Sequence, residues 1–353
     1  QTSLAVPDDA PPPTQSLQDF LFSEFGVKKR TQLVNAMRHF RLPMDPTADR
    51  SAFADVDTSP LVGVIRALAE ATPMGPEPDV SIIIPAYNQL RFTLACIHSI
   101  LSDQSRYSYE IIVADDCSTD ATSEVFESGI RHVFHARPTS NLGFLRNCNH
   151  AAKMAKGKHI VLLNNDTYVL PGWLNELIEP LERDDNIGLV GSKLVFADGR
   201  LQESGGFVFA DGSGWNYGSF DDPRDPRYCY LRDSDYVSGA VIAMKMQLWQ
   251  SLGGFDERYE MAYYEDTDLA FRVREAGQRV VVQPLSQVIH FEGISSGTDI
   301  TAGVKRYQVV NKETFYERWK PTLASHGTAD PHNLSVHRNK QGTILVVDAR
   351  TPM

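Results

Sequence analysis

The sequence predicts an α/β fold: a mainly parallel central sheet, helices on its faces, and a helical extension in front of it. Three observations predict it. Between residues 80 and 166, four apolar runs of strand length alternate with stretches of helical spacing, the pattern of successive strand–helix–strand units. These runs end abruptly in polar residues, as buried strands do where they leave the core. The chain has 353 residues, 42% of them hydrophobic, enough to bury a sizeable core.

The elements follow in order. Residues 1–16 are rich in Pro, Asp, Ser and Thr and read as disordered. Residues 17–71 hold three amphipathic patterns, SLQDFLFSEF, KRTQLVNAMRHF and PLVGVIRALAEA, each near helical spacing. PMGPEPD at 73–79 is a linker by its prolines. DVSIIIPAYN is the first strand and LRFTLACIHSILSD the helix after it. EIIVADDCSTDAT is a strand ending in paired carboxylates, with a short helix next. HVFHARP is a third strand candidate, NLGFLRNCNHAAKMAKG a glycine loop running into a helix, and HIVLLNND the fourth strand. GLVGSKLVF and DYVSGAVIAMK read as later strands. Residues 199–230 are a loose stretch of Gly, Asp and aromatics around Trp215 and Tyr217. A helix capped near Thr267 or Asp268 precedes a last strand region ending at His290, and 303–320 reads as helical. The expected division is 1–79 as Pro-rich start and helical extension, 80–320 as the main domain, and 321–353 as a linker with TILVVD opening a further unit.

Composition narrows the function. A formal charge of −11 excludes a general nucleic-acid binder and leaves room for a nucleotide held through a metal. Cys96, Cys117, Cys148 and Cys229 show neither metal spacing nor a disulfide rhythm. They read as free thiols in a reducing, cytoplasmic compartment. No apolar run reaches the roughly 18–20 residues of a membrane span, and the N-terminus has no signal pattern. Peripheral attachment at the inner face of the cell membrane is compatible with this composition.

In open α/β sheets, ligands bind beyond the carboxyl ends of the strands. Here those ends carry Tyr87, Asp115, Asp116 and Asp166. The stretch VLLNNDTYVLPGW is the sharpest of them: an apolar run stops in Asn164, Asn165 and Asp166. Carboxylate oxygens are the ligands Mg and Mn prefer, whereas a polar β-turn is the plain alternative. Asp115 and Asp116 can accept from a base N–H or ribose hydroxyls, while helix capping in that loop suits Ser118 or Asp120 better.

Residues 80–292 resemble the family 2 inverting glycosyltransferases of the GT-A fold, especially bacterial enzymes of O-antigen and surface-polysaccharide synthesis. The likeness rests on SIIIPAYN, IIVADDCSTD, NLGFLRNCN, VLLNNDT, YVSGAVIAMK, GGFDERYEMAYYEDTDLAFR and the His in VIHFEG, in the family's order and at similar spacing. It implies that Pro85, Tyr87 and Asn88 lie under the donor's nucleobase; an aromatic contact there is worth about 1–3 kcal/mol. It implies Asp116 as the base contact, with Asp115 bracing the loop, Arg146 facing the diphosphate, and Asn149 as a brace. Asn164, Asn165 and Asp166 match the family's DXD motif in an Asn form common among rhamnosyltransferase-like members. Asp166 is then the direct metal ligand, Asn164 and Asn165 touch ribose or sugar, and His290 is a second metal ligand. Asp266 matches the catalytic base, Glu265 orients the acceptor or the loop, and Asp268 reads as a helix cap.

The implied activity is a metal-dependent transfer, with Mn or Mg, from a nucleoside diphosphate sugar, a UDP- or dTDP-sugar. The acceptor is a hydroxyl of a glycan or lipid-linked molecule. TILVVDARTPM resembles the opening strand of a GT-B-type glycosyltransferase domain, so neighbouring glycosyltransferase domains in a longer chain are expected. Two alternatives stand beside this reading. A nucleotidyltransferase would need a Lys-bearing phosphate loop, which SIIIPAYNQLR lacks. A non-catalytic carbohydrate-binding or scaffold module would not need the carboxylates of Glu265 and Asp266.

Overall fold

The computed structural model describes residues 17–43, 57–72, 77–259, 261–291 and 307–330. The four apolar runs form β1 (Val80–Ala86), β2 (Tyr109–Asp115), β3 (Val133–Ala136) and β4 (His159–Leu163). β1, β2 and β4 are buried at every residue, as strands covered on both faces are. Ile82 and Ile84 pack into one core and Ile83 into the other, the two-residue alternation of a strand. Between these strands run α3 (Leu90–Leu101), α4 (Thr122–Glu127) and α5 (Phe144–Ala152). β1 pairs in parallel with β2 and β4, and β2 with β3.

The other half of the sheet is mixed. It contains β5 (Thr167–Val169), β6 (Ile187–Val195), β7 (Leu201–Glu203), β10 (Arg232–Asp233), β11 (Val241–Lys245) and β12 (Arg279–His290), while β8 (Gly206–Val208) and β9 (Gly214–Asn216) form a separate hairpin. The order is β10-β12-β6-β11-β4-β1-β2-β3, with β5 on β12 and β7 on β6. β11 runs antiparallel to both β4 and β6 and stands between two parallel sets in a sheet whose main-path pairs are more often parallel than not. β11 enters from a loop rather than through a helical crossover, and an apolar run carries no mark of its direction.

Two registers build the site. β12 lies antiparallel to β5 with His290 opposite Thr167, and Phe291 N donates to Asp166 O at 2.9 Å. β11 lies against β4 with Val241 opposite Leu163, and Asn164 N donates to Ala240 O at 2.9 Å. The first brings His290 to the end of β4. The second sets residues 238–240 beside it.

α1 (Leu17–His39) joins the first two amphipathic patterns across a bend at Gly26, φ 73°, and α2 (Ser59–Ala71) is the third. Among the described residues none before Val80 joins the sheet. Phe20, Leu21, Met37 and Ile65 instead bury into the core shared with Ile82 and Ile84. α6 (Trp173–Arg183) was not among the expected elements, although its buried Trp173, Leu174, Leu177, Ile178 and Leu181 follow helical spacing. Residues 1–16, 73–76 and 331–353, including TILVVD, lie outside the described residues. No described helix is long and apolar enough to cross a membrane.

α7 (Met246–Leu252), α8 (Glu265–Glu275) and α9 (Tyr307–Leu323) cover the second face. α8 begins at Glu265, earlier than expected, and Asp268 is not its cap. Asp268 is fully buried and accepts from Tyr259 Oη at 2.9 Å, Arg272 Nε at 2.7 Å, Arg318 at 2.9 Å and Trp319 Nε1 at 2.8 Å. The last two belong to α9, so one carboxylate pins α9 onto α8. Asp268→Ala strands the buried Arg272 guanidinium and is expected to lower stability by about 3–5 kcal/mol in urea denaturation. A loss below about 1 kcal/mol, the scale of an exposed ion pair, would contradict this account.

Candidate active site

The first two strand ends form one wall. Pro85 is buried and Tyr87 is half-exposed at 50%. Asn88 takes a left-handed backbone, φ 57°, and its Oδ1 accepts from Thr119 N at 2.7 Å and Asp120 N at 3.2 Å. It therefore ties the two loops together. Asp120 serves both adjacent helix starts, accepting from Leu90 N at 3.1 Å and Thr122 N at 3.0 Å. Asp115 is fully buried. It accepts from Ser118 N at 2.8 Å, lies 3.1 Å from His135 Nε2, and pairs with Arg137. Burial opposes its charge, but His135, Ser118 and Arg137 together hold its carboxyl well below the usual carboxylate range. Asp116 accepts from the glycine loop, Leu142 N at 2.6 Å and Gly143 N at 2.9 Å. Burial raises its pKa against those two bonds, and the charge of Asp115 adds to the rise.

At the end of β4, Asp166 Oδ1 lies 3.3 Å from His290 Nε2. On the other side of the ring, His290 Nδ1 lies 3.2 Å from Gln202 Oε1. Asn165 turns its amide to Thr93 Oγ1 at 3.1 Å. Asn164 Oδ1 is buried without a hydrogen-bond partner. Among the described residues no third His, Cys, Asp or Glu completes a cluster with Asp166 and His290.

The opposite wall is the segment before α8. Met261, Tyr263 and Tyr264 all hold positive φ, at 64°, 78° and 70°. The buried Asn311 of α9 donates its amide to Ala262 O at 2.9 Å and Tyr263 O at 3.1 Å. Tyr264 Oη donates to Gly212 O at 3.1 Å. This frame delivers Glu265 and Asp266 in the first turn of α8, where the helix dipole favours a negative charge. Asp266 Oδ2 accepts from Gly239 N at 2.8 Å and Oδ1 from Thr267 N at 2.6 Å. Glu265 is buried and its Oε2 has no partner; burial first, then the charge of Asp266, pushes its pKa up to about 8. Glu203 rises to about 8 chiefly by burial, with Asp266 adding to it. Its Oε1 accepts from Ser238 N at 2.9 Å, steadying the turn whose next amide holds Asp266.

These walls enclose a cavity of about 560 Å³, within the usual range for small-molecule sites. Pro85, Tyr87, Asp116, Asn164, Asn165, Asp166, Glu265, Asp266 and His290 all line it. Three predicted residues do not. Asn88 and Asp115 brace the loops behind it. Arg146 is half-exposed on α5, outside this lining, and pairs with Glu257 at 3.2 Å. No Lys or Arg is among the described residues of the lining. Asn149 braces a different loop from its own, bonding both N and O of Phe255 at 2.9 Å. Gln202, Glu203, Gly239 and Asn311 were not expected at the site. Gln202 and Glu203 sit in a stretch that read as loose, and Asn311 stands on a helix far along the chain.

Residues 81–223 match the family model "Glycosyl transferase family 2". The O-antigen biosynthesis protein RfbC of Myxococcus xanthus is 31% identical over 249 residues, 64% of this chain and 18% of RfbC. The N-acetylglucosaminyl-diphospho-decaprenol L-rhamnosyltransferase of Mycobacterium tuberculosis is 27% identical over 218 residues, 54% of this chain and 68% of that protein. An uncharacterised protein of Sinorhizobium fredii, y4gI, is 30% identical over 76% of this chain and 30% of its own length. This chain thus spans less than a third of the Myxococcus and Sinorhizobium proteins. A crystal structure of GalNAc-T7 with UDP, GalNAc and Mn2+ superposes with a TM-score of 0.52 at 16% identity, over 71% of this chain and 58% of that one. The fold is that of the GT-A glycosyltransferases. Residues 81–223 carry the glycosyl transferase family 2 domain.

Glu203 and Glu265 give stability a defined pH dependence. Each keeps its proton in the folded state up to about 8, whereas the unfolded chain releases it near 4.5. Between those limits the folded state binds more protons, so their contribution is fully present below 4.5 and falls as pH rises through 8. Glu265→Gln and Glu203→Gln are each expected to flatten that decline in chemical denaturation at pH 5, 6.5 and 8. An unchanged slope in both would place these carboxyls in a more polar setting.

Proposed function

We propose that this domain is a metal-dependent inverting glycosyltransferase. It moves a sugar from a nucleoside diphosphate donor, a UDP- or dTDP-sugar, to a hydroxyl of a glycan or lipid-linked acceptor in surface-polysaccharide synthesis. The observation that carries this reading is the single cavity that holds a nucleobase-side wall, the Asp166–His290 pair and the Glu265–Asp266 pair. The relatedness to an O-antigen biosynthesis protein supports the polysaccharide context.

The residues fit a divalent cation. Asp166 offers a carboxylate and His290 an imidazole, a donor set suited to Mn. Asn164, with an unpartnered buried carbonyl oxygen, lines the same cavity. Among the described residues the lining gives a diphosphate no Lys or Arg as countercharge. A bound cation would supply that countercharge to the leaving diphosphate. Donor oxygens and water would complete its shell, as they do where a protein gives few ligands.

The chain's own residues carry the rest. Tyr87 offers an aromatic face at the nucleobase end. Asp116 fixes the glycine loop that borders the donor. Asp266, held by Gly239 N and Thr267 N, takes the acceptor's hydroxyl proton. The acceptor oxygen bonds to the anomeric carbon as the bond to the diphosphate breaks, and the nucleoside diphosphate leaves with the electron pair. Attack from the face opposite the leaving group inverts the anomeric centre. Glu265, whose pKa burial raises to about 8, lines the same cavity with its Oε2 unpartnered, and we assign it the orientation of the acceptor or of the loop.

Asp266→Asn keeps the shape and removes the basicity. It is expected to leave donor and Mn2+ affinity nearly intact in calorimetry and to cut sugar transfer by about 10²–10⁴-fold. Near-normal transfer would remove Asp266 as the base. Asp166→Ala is expected to leave UDP or dTDP binding weak and insensitive to Mn2+; Mn2+ dependence equal to that of the unmodified chain would take Asp166 out of the metal site.

A further inference from the structure

Gln202 lies on β7, in the stretch of sequence that carried no motif. It is 2% exposed, a long polar side chain placed where such side chains need a reason. β6 lies between β7 and β12, and its Val195 stands opposite both Leu201 and Ile289. The register therefore carries Gln202 and His290 to the same end of the sheet, with Gln202 Oε1 3.2 Å from His290 Nδ1.

A carbonyl oxygen only accepts, so this contact is a hydrogen bond when Nδ1 carries the proton. The lone pair of the neutral ring then sits on Nε2, the atom 3.3 Å from Asp166 Oδ1. A lone-pair nitrogen and a carboxylate oxygen at that distance repel each other. A cation between them turns the same pair into two ligands pointed at one place. Histidines that bind metals commonly give their other N–H to a fixed acceptor, which sets tautomer and ring orientation together.

Resting on the metal reading above, we infer that Gln202 is a positioning residue. It holds His290 in the Nδ1–H tautomer with Nε2 aimed at the cation site. The role belongs to its acceptor oxygen, so glutamate can replace it and leucine cannot.

The test uses the whole chain as Gln202→Leu and Gln202→Glu beside the unmodified protein. Mn2+ binding with UDP present is read by calorimetry, and the His290 tautomer without metal by nitrogen-15 NMR. Gln202→Leu is expected to weaken Mn2+ binding by about 10–100-fold and to lose the Nδ1–H signature, while Gln202→Glu keeps both. Mn2+ affinity unchanged in Gln202→Leu overturns the inference, and so does an equal loss in Gln202→Glu. Should Gln202→Leu fail to fold, an Nε2–H tautomer in the unmodified chain still overturns it. Failure of the metal reading looks different: the unmodified chain does not bind Mn2+, or His290→Ala binds it equally well. Either result overturns both.

Discussion

Four carboxyl groups, Asp116, Asp166, Glu265 and Asp266, share a cavity whose described lining holds no Lys or Arg. Like charges at that density oppose one another, and the surrounding structure answers each in its own way. Asp116 spends its charge on two backbone amides of the glycine loop. Asp166 faces an imidazole. Asp266 sits at a helix start and takes one further amide from Gly239. Glu265 shares that helix start but is buried with its Oε2 unpartnered, and burial, then the charge of Asp266, pushes its pKa up to about 8. Four carboxyls in one cavity thus have four different settings, and Glu265 and Asp266 differ although they are adjacent in the chain.

The scaffold that holds them is assembled from distant segments. The Glu265–Asp266 turn depends on α9, whose Asn311 grips the preceding carbonyls and whose Arg318 and Trp319 reach Asp268. The Asp166–His290 pair depends on the short β5 and on the far end of β12. Parallel registers within a continuous run of chain fix the wall at the ends of β1 and β2. Antiparallel pairing fixes the Asp166–His290 pair, and side-chain bonds from α9 fix the wall before α8. The walls of the cavity are thus stabilised by different interactions.

That division also decides what the sequence reveals. Strand ends at Tyr87, Asp116 and Asp166 were legible because an apolar run that stops in polar residues marks its own boundary. The direction of β11 was not legible, since side-chain pattern is the same in either sense. Asp268 read as a cap from its position near a helix start, but its partners Arg318 and Trp319 lie some fifty residues away and cannot be seen locally. Arg146 matched by place in a motif, while the face of α5 it occupies turns it outward to Glu257. Gln202 and Glu203 were hidden by glycines and aromatics around them; only a register with β6 gives two polar residues in a short strand their meaning.

The backbone before α8 constrains how such a domain can change. Met261, Tyr263 and Tyr264 hold left-handed conformations that glycine adopts without strain and that cost other residues about 1–2 kcal/mol each. All three residues line the cavity, and Met261 lies against Gly143 on the far wall. The side chains are kept where the main chain would be easier without them. Selection for heat resistance alone could therefore relieve the backbone with glycine at Met261, which is 40% exposed, but not at Tyr264, whose ring packs on Phe315 and whose hydroxyl bonds Gly212, so that loss of the side chain would outweigh the relief.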